Sequence, residues 1–355
     1  VRMRPFCDVL ALHGRRPHWG AELAWKTPRP TCRTGRRQQV HRLDYILRKV
    51  AFALLTLAVV LTFNFYIFRI VPGDPVSMIV SPRMRPETRD RIREQYGLDK
   101  PMWLNTEAAR ETGNISAAFD SQYFHYLQSL SRGELGQSFR QKKPVSQLIA
   151  AALYPTLLLI LTGEVVGIVI GTVLGTVAAW KARSKVDAAS MVVGLTAWSL
   201  PPFWLGIVLL ILAQGFLPAG GYVTIGTEFG SAAERWLDIA KHLVLPATTM
   251  ALLLFGGYML VVRNSTLEVL SEDYILTAKA KGFTQWHVLR THALKNAALP
   301  LVTIIALDLG IALGGMIQIE TIFSWPGLGR LMFLAIGQRD YPVLPGVFLL
   351  LAIGV

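Results

Sequence analysis

The chain has 355 residues, 52% of them hydrophobic and 17% charged, and 36 Lys/Arg against 23 Asp/Glu give a formal net charge of +13. Soluble domains carry roughly 25% charged residues, so this composition excludes an ordinary water-soluble fold. Six apolar runs account for the deficit, near 50–71, 155–180, 188–214, 244–262, 298–319 and 341–355. Each is close to the roughly 20 residues that cross a 30 Å hydrocarbon core. The last has fifteen residues before the chain stops and is expected to be cut short.

Residues 1–49 hold twelve Lys/Arg against Asp8, Glu22 and Asp44, which is +9 of the +13. Basic residues placed directly before a first span mark a cytoplasmic N-terminus and outweigh a nucleic-acid reading of the charge. Cys7 and Cys32, the only cysteines, are too few and too far apart for a zinc site, and a reducing compartment keeps them as thiols. No compact apolar stretch with a small-residue cleavage site follows the basic residues, so a signal peptide is not indicated. Residues 1–42 are read as a basic tail, disordered or an upstream start-site extension, and 43–71 as the first transmembrane helix.

Next comes an external segment, 72–147. Its 86–96 stretch, PETRDRIREQY, predicts a short helix opened by Pro86 and closed by Gly97. Residues 122–130 predict another, ahead of the turn-rich RGELGQSF at 132–139; a solvated loop is the plainer alternative. Lys and Arg counts set the topology. Loops 181–187 and 263–296 hold eight in 41 residues, against four in 50 for 215–243 and 320–340. The first pair therefore faces the cytoplasm, giving six spans with both termini inside. The 72–147 segment has eleven Lys/Arg but is too long for that rule to govern.

The rest, 148–355, reads as the transmembrane core. Its second span carries Gly163, Gly167, Gly171 and Gly175, a four-residue spacing that lines one helix face with small residues and lets a neighbouring backbone approach closely. Packing is the expected role and a glycine-lined path the sharper alternative. Glu164 lies beside this face at lipid depth and is expected to face protein or a water-filled cavity, as a pore-facing or hydrogen-bonded group or as a proton-coupling carboxylate. In the third span the pair Pro201 and Pro202 removes two backbone donors and predicts a kink suited to a pathway-lining helix.

Between two spans lies RNSTLEVLSEDYILTAKAKGFTQWHVLRTHALKNAALPL, residues 263–301. It reads as two helices joined at Gly282: 273–281, preceded by Glu272, with small Ala278 and Ala280 beside basic Lys279 and Lys281, then 284–296 with Thr284 as N-cap. A short helix with small residues and a glycine exit suits docking into a groove on a soluble partner. An amphipathic helix on the membrane surface is the alternative.

EDYILTAKAKGF and the following HALKNAALPL resemble the coupling motif of the ABC-transporter inner-membrane permeases of the dipeptide, oligopeptide and nickel importer family. Val71-Pro72-Gly73-Asp74-Pro75, Tyr96-Gly97-Leu98-Asp99-Lys100-Pro101, Gly133-Glu134-Leu135-Gly136-Gln137-Ser138-Phe139 and Glu320-Thr321-Ile322-Phe323-Ser324-Trp325-Pro326-Gly327-Leu328-Gly329 are similar to further family markers, in order, over residues 43–355. Two departures stand out. The general importer motif opens Glu-Ala-Ala where this chain has Leu276-Thr277-Ala278, and 103–121 is longer than usual.

The resemblance implies an all-α membrane protein with six transmembrane helices, of type I ABC importer permease architecture, with a small external subdomain between spans 1 and 2. It also implies a pore-forming peptide-import subunit working with a second, homologous permease, two cytoplasmic ATP-binding subunits and an external substrate-binding protein in the bacterial inner membrane. It assigns the ATPase-coupling role to the loop at 263–297, and within it to Glu272, Asp273, Tyr274, Ala278, Ala280, Lys281 and Gly282. Nickel or another small polar solute is the alternative cargo.

No G-x-x-x-x-G-K-[ST] phosphate loop occurs, so the chain is not expected to hydrolyse ATP itself. His287 and His292 are five apart, not the four that would align them on an α-helix for metal, and no cofactor or metal is expected. A proton-coupled secondary transporter using Glu164 or Asp308, and a membrane scaffold, are the rival classes. No inverted repeat supports the first.

Overall fold

The computed structural model describes residues 42–70, 85, 87 and 99–354. The expectations for residues 1–41, for the Pro72–Pro75 turn and, apart from residue 87, for the 86–96 helix fall outside these. The chain divides into two units after Ala51, and the helical body belongs to the second, Phe52–Val355. Among the described residues the regular structure is helical, with one isolated bridge between Gln137 and Pro144.

Helix α1 spans Arg42–Ile70. Three short elements come after it: α2 (Thr106–Thr112), a 3-10 turn (Ile115–Phe119) and α3 (Gln122–Ser131). Asn105 caps α2 by accepting from the backbone N–H of Ala108, and Gly113 closes it in the left-handed conformation. An aromatic cluster ties this region to α1. Phe65 is buried, with ring centroids 5.6 Å from Trp103, 5.3 Å from Tyr123 and 5.4 Å from Tyr126, and the Thr62 and Tyr123 hydroxyls meet at 2.7 Å. Burial pushes the Tyr126 phenol up to about 12.

The body is built on two long helices, α4 (Val145–Trp180) and α7 (Ala232–Leu270). Both run well past the apolar stretches that announce them. Polar turns at their ends, such as the one capped by Ser231 on the N–H of Glu234, keep helical hydrogen bonding beyond the lipid-soluble part. The loop read over 215–243 is therefore helical from Ala232 onward.

The four glycines of α4 face α7. A Cβ on Gly171 would come within 2.6 Å of Tyr258 Cβ and 2.8 Å of the Phe255 carbonyl oxygen, and one on Gly175 within 2.6 Å of the Met259 carbonyl oxygen. One on Gly163 would strike Met250 at 2.7 Å, while Gly167 is looser at 3.4 Å from Ala251. Small residues here let the backbones approach.

The third apolar run is not one kinked helix. It forms α5 (Lys185–Ser199) and α6 (Pro202–Leu212), bent by 104°. Leu200 and Pro201 are both extended because each precedes a proline, and two successive residues excluded from the α region break the helix outright. Gly194 of α5 crosses α7 at Gly256, where an added Cβ would lie 2.2 Å from the Gly194 carbonyl oxygen.

Beyond α7 come α8 (Asp273–Ala280), α9 (Gln285–His287), a π-helical turn (Val288–Ala293) and α10 (Leu294–Gly315). The chain closes with α11 (Ile317–Ile322), α12 (Leu328–Gln338) and α13 (Val343–Gly354). Among the described residues four helices are long and apolar enough to cross a membrane, or five with the bent pair counted as one span, and α12 and α13 are shorter apolar helices. Large apolar side chains such as Phe52, Val192 and Ile211 stand exposed, as lipid-facing side chains do.

Candidate functional site

The loop after α7 is a small folded unit. Ile275 and Ala278 of α8 are buried against Val288, Leu289 and Ala293 of the π turn. Ala278 therefore faces inward, where its small size serves the loop's own packing, while Ala280 stays exposed. The Asn296 side-chain amide donates to the Tyr274 hydroxyl at 2.7 Å, a second tie between the two arms. Glu272 occupies the N-cap position of α8 without a side-chain cap bond, and Asp273 in the first turn faces the positive end of the helix. Lys281 is the C-cap, and Gly282 comes next at φ +82°, its N–H donating to the Lys279 carbonyl at 3.0 Å. Nothing lies within 4 Å of where a Gly282 Cβ would sit, so the left-handed backbone and not crowding calls for glycine. On the outer surface Tyr274, Leu276, Phe283 and Trp286 are exposed, beside Lys279 and Lys281.

Thr284 caps α9 by accepting from the His287 N–H at 3.3 Å. The π turn then changes the geometry predicted for the histidines. With the helix wound one residue wider per hydrogen bond, positions five apart come into line. The His287 and His292 rings meet at 6.0 Å, with Phe283 at 4.8 Å from the first and 6.1 Å from the second. The α-helical spacing argument that set the two histidines apart is thereby corrected. No cluster of three metal-ligating side chains occurs among the described residues.

One contact fastens the loop to α4, and an ion pair ties α7, which leads into the loop, to α5. Trp286 packs on Trp180 at the end of α4, ring centroids 5.5 Å apart. Arg263, near the end of α7, grips Asp187 at the start of α5 with Nε–Oδ1 at 2.6 Å and Nη2–Oδ2 at 2.8 Å, and Asp187 also accepts from the Arg183 N–H at 2.9 Å.

Deeper in the bundle, Glu164 is buried beside the glycine face and pairs with the Tyr258 hydroxyl of α7, which also lies 2.8 Å from Asp308 of α10. The carboxyl expected to face protein or a water-filled cavity, as a pore-facing or a hydrogen-bonded group, is hydrogen-bonded between helices of its own chain. Pro201 and Pro202 sit at the α5–α6 break, Pro201 exposed and Pro202 half-buried.

About Thr156, in the N-terminal third of α4, is a polar centre built on Glu320, which the sequence offered only within a family marker. Glu320 is fully buried. It accepts from the Thr156 hydroxyl at 2.7 Å and from the Arg330 N–H at 2.9 Å, while Thr156 accepts from the Leu328 N–H at 2.8 Å. Together they cap α12. Burial raises the Glu320 carboxyl above its usual range, and the Thr156 hydroxyl and the N–H groups of Arg330 and Gly329 partly offset this. Gly327 and Gly329 leave room, since a Cβ on the first would lie 2.1 Å from Glu320 Oε1 and on the second 2.7 Å from the Ile317 backbone. The 132–139 turn docks nearby. Ser138 donates to Asp340, and the Phe139 N–H donates to the same carboxylate at 2.7 Å. The signal for Glu320 was a lone acid in an apolar context, a group that needs buried donors.

Long apolar helices with a folded, polar, glycine-broken loop inserted between two of them define a multi-pass membrane protein. Residues 171–355 match the binding-protein-dependent transport system inner membrane component family, and residues 42–160 match the N-terminal module of such components. The dipeptide transport system permease protein DppB of Escherichia coli K12 is 34% identical over 330 residues, covering 87% of this chain and 92% of its own length. The oligopeptide transport system permease protein AppB of Bacillus subtilis is 34% identical over 313 residues, with 87% and 92% covered. The glutathione transport system permease protein GsiC of Salmonella typhimurium is 33% identical over 315 residues, with 88% and 92% covered. The chain belongs to the binding-protein-dependent transport system inner membrane component family, the permeases of ABC importers. It is a multi-pass inner-membrane protein of a system that also contains ATPase and substrate-binding components.

Proposed function

We propose that this chain is a pore-forming subunit of an ATP-driven peptide importer, transmitting closure of partner ATPases to the transmembrane helices through its 263–297 loop. The observation that carries this is the build of the loop. It is a two-arm unit with its own core, an exposed apolar and basic outer face, a left-handed glycine exit at Gly282, and a direct tie to α4 through Trp180, while α7, which leads into it, is held to α5 by the Arg263–Asp187 pair. A force on its outer face is passed to α4 through that ring contact and to α5 through α7. Peptides are the favoured cargo because relatives that match most of the chain are named for dipeptide, oligopeptide and glutathione transport.

The finer reading has six spans with both termini cytoplasmic and a small external subdomain between the first two. The assembly holds a second, homologous permease, two ATP-binding chains and an external binding protein. Glu272, Asp273, Tyr274, Ala280, Lys281 and Gly282 form or shape the ATPase contact, and Ala278 acts through the loop's core. Gly282→Asp tests this: the chain inserts and folds, yet the ATPases no longer co-purify in mild detergent and uptake of a labelled dipeptide stops. Normal uptake by that variant would sink the assignment.

A further inference from the structure

Three helices meet in the bundle interior through a single phenol. Tyr258 (α7), 1% exposed, places its hydroxyl against Oε1 of Glu164 (α4) and 2.8 Å from Oδ2 of Asp308 (α10). A phenol has one hydrogen and donates once. Two ionised carboxylates, both acceptors only, cannot both bond to it. The second contact requires the other carboxyl to donate, and so to carry a proton of its own.

Which acid holds that proton is decided by the surroundings. Glu164 is 2% exposed and its second oxygen, Oε2, is buried without any hydrogen-bond partner. A charged oxygen there would be far more costly than the carbonyl of a neutral acid. Asp308 is half-buried and better able to stay ionised. The pocket around the phenol is apolar, with Val262, Leu301, Ile168 and Ile304 packed about Tyr258. No cation offsets the pair among the described residues. Glu164 is the only charged residue of α4. On α7 the nearest charged residue in sequence is Arg263, engaged with Asp187 of α5, whose other charged residue, Lys185, lies at its start. Lys295 is at the far end of α10 from Asp308, and the remaining charges of α7 are Glu234, Arg235, Asp238 and Lys241 toward its start and Glu268 at its end.

We infer that Glu164, Tyr258 and Asp308 form a proton-binding site that holds one proton between two carboxyls, resting on Glu164, which donates to Tyr258, which donates to ionised Asp308. The chain of donors runs in one direction and joins α4, α7 and α10 with a net charge of −1 instead of −2. Removing the proton leaves two like charges on one phenol and loosens the three-helix contact. The site itself does not depend on the importer assignment, and a failed transport assay leaves it untouched.

The test uses the purified full chain in lipid, labelled with 13C-carboxyl glutamate, at neutral pH. The infrared spectrum is expected to show the C=O stretch of a protonated glutamic acid that persists in Glu320→Gln, which removes the other buried glutamate among the described residues, and is lost in Glu164→Gln. In the same preparations the wild-type melting temperature falls on alkalinisation more steeply than that of Glu164→Gln, whose amide mimics the neutral acid. Absence of a glutamic acid band in Glu320→Gln overturns the proposal even if Glu164→Gln fails to fold. Parallel melting profiles for wild type and Glu164→Gln overturn it as well.

Discussion

The Thr156 hydroxyl donates to Glu320 at 2.7 Å while accepting from the Leu328 N–H at 2.8 Å, so one small side chain of α4 serves both a buried carboxyl and the first turn of α12. Thr156→Val keeps the shape and removes both bonds, leaving a buried N–H and a buried carboxyl oxygen without partners. The expected loss is roughly 1–3 kcal/mol, read as a lower melting temperature in lipid or detergent. Thr156→Ser, which keeps the hydroxyl, is expected to lose much less.

Glu320 also has a pH signature. Its carboxyl is raised by burial, so the folded state holds the proton to higher pH than the unfolded chain does. That contribution is fully present below the ordinary glutamate value and is lost as pH rises through the folded one. Melting temperature measured against pH should therefore decline across that interval, and Glu320→Gln should flatten this part of the decline at the cost of a lower plateau. An unchanged profile in the variant would remove Glu320 from the account.

Arg263→Ala strands Asp187, which is 4% exposed and would keep only the Arg183 N–H. Breaking a buried pair by removing one member costs roughly 3–5 kcal/mol, the lower end applying because Arg263 is partly exposed. The paired replacement Arg263→Met with Asp187→Leu should recover most of the loss. A double-mutant cycle on thermal unfolding measures the difference.

Gly256 and Gly337 make a contrast within helices. A Cβ at Gly256 would lie 2.2 Å from the Gly194 carbonyl oxygen, whereas nothing lies within 4 Å of one at Gly337. Gly256→Ala is expected to cost about 1–3 kcal/mol or more, since backbone must move. Gly337→Ala should be neutral or stabilising by up to about 1 kcal/mol. Comparative melting of the two variants checks both signs.

Deleting Thr291 from the π turn should restore ordinary α winding. Each residue turns an α-helix by about 100°, so the deletion rotates α8, Phe283 and His287, together with Leu289, away from His292 and from Ala293, which closes the core of the loop. Insertion should survive, because the apolar part of α10 is untouched, while ATP-dependent dipeptide uptake is lost. Retained uptake would mean that the π turn does not set the orientation of the loop.

Much of this protein is written locally. Apolar runs near the bilayer thickness, the glycine spacing of α4, the α8 helix with its exit at Gly282, and the Thr284 cap depend on neighbours in the chain, and each was legible as sequence. The proline pair announced an interruption, although its outcome is a 104° break and not a kink, because two pre-proline residues in succession leave the α region.

Hydropathy underestimated α4 and α7, since helical hydrogen bonding does not stop where lipid solubility does. What only the tertiary structure decided are the partners of isolated polar groups. Glu164, Asp308 and Tyr258 stand on three helices, Thr156 and Glu320 are 164 positions apart, and Asp340 receives the 138–139 turn from across the chain. A buried charge or hydroxyl must find a donor or acceptor, and the sequence states that need. Which distant residue meets it depends on how helices stack, a long-range geometry that no local pattern encodes.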